Sequence, residues 1–173
     1  MKYAVGIVVA AVLSLVLTTL VELPAWAEEE TNPAALAKVL PQASLALEKA
    51  LKVSEREGKP VSAKYEIEKG ALQLSLYTLK GDSFSELIID HNSGAVAGEE
   101  VITDADDLKA AKEQAAAMAM TRATLDVPVV KAVQDNPGYR AISVMPKLEG
   151  GQPVADVILI KGPDVKKVTE KLN

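Results

Sequence analysis

From Val61 onward the chain alternates apolar and polar residues in short runs closed by turn residues, a pattern that restricts it to antiparallel sheet. Val61, Ala63, Tyr65 and Ile67 fall on one side of a strand, and Ser62, Lys64, Glu66 and Glu68 on the other. That is the period of two expected of a half-buried strand. Lys69-Gly70 reads as a hairpin turn, after which Leu72, Leu74 and Leu76 alternate against Gln73, Ser75 and Tyr77. Lys80-Gly81-Asp82 turns the chain into a third strand over residues 83–90. Asp90-His91-Asn92-Ser93-Gly94 then has the chemistry of a turn, with short side chains that bond their own backbone and a glycine that accepts positive φ. Asp90 and Gly94 are the structural positions of that turn.

Helical spacing precedes the strands. Asn32-Pro33 is a helix start, and Leu40, Ala43, Leu47, Ala50, Leu51 and Ser54 recur every three or four residues until Gly58 and Pro60. The same order returns downstream. Residues 104–123 form an Ala-rich helix capped by Asp104 or Asp106, and Asp126-Val127-Pro128 opens a shorter one. Strands follow over 139–145, 153–161 and 165–172, with Leu79-Lys80-Gly81 matched by Ile160-Lys161-Gly162. The expected class is α+β, with two helix-plus-antiparallel-meander units after an N-terminal signal helix. The units span 40–98 and 107–173, with a lead-in at 28–39 and a linker at 99–106. Whether the two units share one sheet is left open at this level.

The N-terminus reads as an export signal over residues 1–27. Lys2 gives a positive start, Tyr3 through Leu20 carry no charge, and Pro24 ends the apolar run. Ala25 and Ala27 supply the small side chains that a signal peptidase needs before Glu28. The alternative is an uncleaved anchor, because the uncharged run approaches the ~20 residues that span a bilayer. The expected location is periplasmic or secreted, with membrane contact only through that segment.

Composition narrows the function. There is no cysteine in a chain sent to an oxidising compartment, so packing alone must hold the fold and no thiol chemistry is available. A formal net charge of −5 argues against nucleic acid as a partner. Aromatic residues make up only 3%, too few for the stacking platforms of base or sugar recognition.

The stretch 43–47, Val61-Ser62-Ala63 and above all Leu87-Ile88-Ile89-Asp90-His91-Asn92-Ser93-Gly94-Ala95-Val96 resembles the PepSY domain family. Residues 40–97 carry the resemblance. Residues 107–172 resemble a second, divergent copy, with Asn136-Pro137-Gly138-Tyr139-Arg140-Ala141 at its helix-to-strand junction and no Asp-x-x-x-Gly turn after its third strand. The resemblance implies a helix packed on an antiparallel sheet. It also implies an exported, non-enzymatic module that binds a protein or peptide and restrains an extracytoplasmic peptidase. It brings no catalytic residues and no cofactor.

The remaining chemistry is sparse. His91, the single histidine, adjoins Asp90 but lacks a nucleophile or further ligands in its motif. Glu99, Glu100, Asp104, Asp106 and Asp107 form an acidic linker whose spacing is not that of a calcium loop. A ligand- or metal-binding envelope protein using these acids is the alternative function. Helix-dipole stabilisation accounts for the three aspartates without a metal. Paired carboxylates of the glycosidase kind stay open, Gly150-Gly151 and Gly162 read as hairpin turns, and Met118 and Met120 as helix packing. An exposed sheet edge, open to a partner strand, is the feature with most binding potential.

Overall fold

The computed structural model describes residues 32–172, so the signal segment 1–27 with Ala25, Ala27 and Glu28 lies outside the described residues. The described chain is α+β, with four α-helices and a seven-stranded antiparallel sheet. The helices are α1 (Pro33–Val39), α2 (Leu47–Ser54), α3 (Ala105–Ala119) and α4 (Asp126–Asp135). The strands are β1 (Lys59–Glu68), β2 (Ala71–Lys80), β3 (Ser83–Ile89), β4 (Val96–Val101), β5 (Arg140–Glu149), β6 (Gln152–Lys161) and β7 (Asp164–Lys171). No helix among the described residues is long and apolar enough to cross a membrane.

In space the strands run β4-β3-β2-β1-β5-β6-β7. The two meanders therefore share one sheet, joined where β1 meets β5. That join is short: Ala63 lies opposite Val144 and Lys64 opposite Ser143, whereas β1 and β2 register from Lys59 with Leu79 to Glu68 with Ala71. Corresponding strands open 81 residues apart, from 59 to 140, 71 to 152 and 83 to 164. The register shifts recur as well, between Pro60 and Ser62 in β1 and between Ala141 and Ser143 in β5. Ala63 thus pairs with Val144, the residue 81 positions further on.

Both faces of the sheet are covered at its centre. On one face Ala63, Tyr65, Leu74, Leu76 and Leu87 join Leu47 and Leu51 of α2 and Val129 and Ala132 of α4 in the main core. On the other, Ala111 of α3 packs with Val61 and Phe84, and with partly buried Tyr77 and Leu79. β6 is consequently buried without a break from Pro153 to Ile160, as a strand covered on both faces must be. The alternation in β1 predicts Val61 on the side of Ala63 and a solvent side opposite. The irregularity between Pro60 and Ser62 instead turns Val61 onto the α3 face, and Ser62 and Glu66 are buried. Glu66 tolerates this through the Ser75 hydroxyl at 2.6 Å and the Lys64 ammonium at 2.5 Å, since a buried carboxylate needs both a charge partner and hydrogen bonds.

Two segments differ from the sequence reading. The helix expected along Leu40 to Ser54 is a 3-10 turn (Leu40–Gln42), a break, and then α2. All six residues of its apolar stripe are nonetheless buried. The segment read as a linker at 99–106 begins inside β4 and ends inside α3. Val96-Ala97-Gly98-Glu99-Glu100-Val101 has no clean alternation, and pairing with β3 makes it a strand.

Candidate functional site

The turn after β3 shows how local chemistry places an edge. Asp90 Oδ1 accepts from the Asn92 N–H at 3.1 Å, the Ser93 N–H at 2.7 Å and the Ser93 hydroxyl at 2.8 Å. These bonds, the Ser93 backbone first, hold the Asp90 carboxyl below the usual carboxylate range. Gly94 takes φ +79° and donates to the Asp90 carbonyl, and the chain reverses into β4. The turn is also anchored at its back. Leu45 N–H donates to the His91 carbonyl, and Ser44 N–H to Asn92 Oδ1. His91 therefore serves through its backbone, while its Nδ1 faces the Asn92 amide at 3.1 Å.

The loop receiving this turn is clamped from the other half of the molecule. Arg140 donates to the carbonyls of Leu40, Ala43 and Leu45, and to the Tyr65 hydroxyl. Its guanidinium lies 5.1 Å from the Tyr65 ring centre. Burial pushes the Tyr65 phenol above its ordinary value, and Arg140 opposes that shift. Nothing in its neighbourhood in the sequence marks Arg140 for this role, because its partners lie 75 to 100 residues away.

β4 itself is an outer strand. Its inner side pairs with β3, from Ser85 opposite Val101 to Ile89 opposite Val96, and its outer side has no partner strand among the described residues. Val96 and Val101 are 41% and 55% exposed, and Glu99 and Glu100 are exposed with them. The acidic group of the sequence reading is thereby dispersed. Glu99 and Glu100 belong to this strand, while Asp104 caps α3 by accepting from the N–H groups of Asp106 and Asp107. Among the described residues no three His, Asp or Glu side chains converge on a point that would hold a metal. Met118 is buried and Met120 is 57% exposed, so the two do not act together.

The other feature is a cavity of about 130 Å³ beneath α3, beside the β1–β5 join. Ser62, Lys64 and Tyr77 line it from β1 and β2, Ser143 and Met145 from β5, and Ala111 from α3. Asp107 and Gln114 border it. Ser143 is 5% exposed and its hydroxyl has no hydrogen-bond partner among the described residues. A buried hydroxyl left unbonded destabilises by about 1–3 kcal/mol. Burial pushes the Tyr77 phenol far above its usual range, with Glu86 adding to the shift, so this hydroxyl stays neutral. The site went unseen in the sequence, where Ser62 and Ser143 are 81 residues apart.

No family model, no curated protein and no solved structure matches the chain.

Proposed function

We propose that this is an exported, non-enzymatic binding module that takes an extended segment of a protein or peptide partner along the outer side of β4. The carrying observation is the composition of that edge. Proteins blunt open strands with lysine, proline or bulges. β4 carries no lysine or proline, exposes two valines, and bears Glu99 and Glu100; its irregularity, at Ala97 opposite the Ile88–Ile89 step, lies before the stretch 98–101. Two adjacent glutamates repel a second β4 and favour a partner strand rich in Lys or Arg, so the edge selects by charge and holds by backbone pairing. An extracytoplasmic peptidase that this contact restrains is the partner class. The acidic residues offer the metal-binding alternative no converging site.

The same proposal includes a duplicated helix-and-meander unit, with α2 corresponding to α4 and β1–β3 to β5–β7. The constant spacing of 81 residues and the matching register shifts support it. A PepSY-like identity for each unit rests on the motif from Leu87 to Val96 and on the order helix, strand, strand, strand.

A backbone substitution tests the edge. Ile102 N–H donates to the Phe84 carbonyl, so by alternation the N–H groups of Glu99 and Val101 point away from β3. Glu99→Pro then removes an outward donor and leaves the β3 pairing intact. The expected outcome is loss of binding to extended Val/Lys peptides in fluorescence anisotropy, and of any peptidase inhibition, with an unchanged circular dichroism spectrum. Wild-type binding by this variant would sink the proposal.

A further inference from the structure

We propose that the cavity under α3 is a ligand pocket for a small, largely apolar molecule carrying one hydroxyl or carbonyl group, about the size of phenol. Three observations carry it, and none depends on β4 acting as a docking edge. The first is its walls. Ala111 and, at the exposed rim, Ala110 leave the space open, and the Tyr77 ring and Met145 give it an apolar lining beside Ser62, Lys64, Asp107 and Gln114. Larger residues at the alanines would have filled it, and such filling is the ordinary outcome in a close-packed interior.

The second is the single unanswered polar group. Ser143 is buried, lines the cavity, and has a hydroxyl without a partner among the described residues. It can donate to a carbonyl or accept from a hydroxyl that enters beside it. A ligand with one such group on an apolar body matches this lining, since small-molecule sites are mostly apolar with a few placed polar atoms. The volume sets an upper limit: enclosed cavities of about 150 Å³ hold one benzene ring, so this space of about 130 Å³, open at the exposed Asp107 and Ala110, takes no more than a single ring.

The third is position. The cavity sits at the β1–β5 join, where the ladder is reduced to Ala63 with Val144 and Lys64 with Ser143. A ligand there touches α3 and both halves of the sheet, so its binding would reinforce the shortest ladder in the molecule.

The test uses the full chain with methyl-labelled Ala and Met, titrated with phenol and separately with benzene. Saturable shifts are expected at Ala110, Ala111 and Met145, with Ala95 and Ala97 unmoved. Ser143→Ala should weaken phenol binding about fivefold to tenfold, the size of one neutral hydrogen bond, and leave benzene binding unchanged. Ala110→Leu, at an exposed position on the rim, should abolish both. No saturable shift up to 10-millimolar phenol, or about this concentration, would show a solvent-filled gap and overturn the proposal. So would equal phenol affinity in the Ser143→Ala variant. Rescue of peptide binding or its loss at β4 leaves these readouts unmoved, which keeps the two ideas separable.

Discussion

β3 and β7 occupy corresponding places in the two halves of the sheet, but they have different neighbours. β3 lies between β2 and β4, whereas β7 is an outer strand. Ser-Phe-Ser-Glu-Leu-Ile-Ile in the one becomes Asp-Val-Lys-Lys-Val-Thr-Glu-Lys in the other. The interior strand keeps Phe84, Leu87 and Ile89 buried, and the outer one carries Lys166, Lys167 and Lys171. Exposure of an edge is thus answered with lysines in β7, and β4 stands out as the outer strand without them. The largest test of this contrast compares Leu87 with Val168, which correspond across the 81-residue offset. Leu87 is 0% exposed, and Val168 is only partly buried. Leu87→Ala should lower stability by about 2–5 kcal/mol, and Val168→Ala by about 1 kcal/mol or less. Equal losses in urea unfolding would mean that β7 is covered as fully as β3.

Lys59 and Arg140 form a second corresponding pair at the starts of β1 and β5. Lys59 donates once, to the Met118 carbonyl at 3.2 Å. Arg140 holds three carbonyls and the Tyr65 hydroxyl, using a planar fork that an ammonium group lacks. Arg140→Ala should therefore destabilise by about 2–4 kcal/mol, since each bond from a charged donor contributes about 1.5–3 kcal/mol and the bonds are not additive. Lys59→Ala should stay below about 1 kcal/mol. Arg140→Lys falls between them if the fork matters; an unfolding midpoint equal to wild type would show that charge alone suffices.

These asymmetries also explain what could be read from the residues. β1 and β2 were legible through alternation, and β6 through an unbroken apolar run between turns, which suits a strand covered on both faces. β4 was not, because Gly98, Glu99 and Glu100 lack that period and the strand forms by pairing with β3. The helix drawn through Leu40 and Ala43 followed a correct burial pattern. Its backbone is broken there: the Leu40 carbonyl keeps a 3-10 bond from the Ala43 N–H, and Arg140 donates to the carbonyls of Leu40, Ala43 and Leu45. Local periodicity reports burial and cannot report a partner about a hundred residues away, which is also why the cavity between Ser62 and Ser143 left no trace.

The two-residue turns Lys69-Gly70 and Gly150-Gly151 correspond and sharpen the comparison by a smaller amount. Lys69 adopts φ 49° where its counterpart Gly150 has φ 57°. A side chain in the left-handed region costs about 1 kcal/mol. Lys69→Gly should raise stability by up to about 1 kcal/mol, and Gly150→Lys should lower it by a similar amount. Opposite signs in matched denaturation curves are the expected result, and the same sign in both would show that flanking packing dominates over φ.

The Asp90 turn joins β3 to β4, the strand that β7 lacks beside it, and gives the smallest and most specific test. Its carboxyl is held below the ordinary range by the Ser93 N–H, the Ser93 hydroxyl and the Asn92 N–H. A carboxyl with a depressed folded-state value binds protons less readily in the folded than in the unfolded chain. The stability it adds is therefore complete above the unfolded value near ~3.9 and is lost as pH falls through the lower folded value. Loss of the charge weakens three hydrogen bonds that pin residues 90–94, and with them the approach of β4 to β3. Amide exchange at Asn92 and Ser93 should accelerate as pH is lowered through that window, after correction for intrinsic rates, while exchange at β6 stays constant. Asp90→Asn keeps an acceptor oxygen but no titrating charge, so its exchange should be flat with pH. A wild-type profile that is equally flat would mean that the turn is held by Gly94 and by the Ser44 and Leu45 contacts, with the carboxylate contributing nothing measurable.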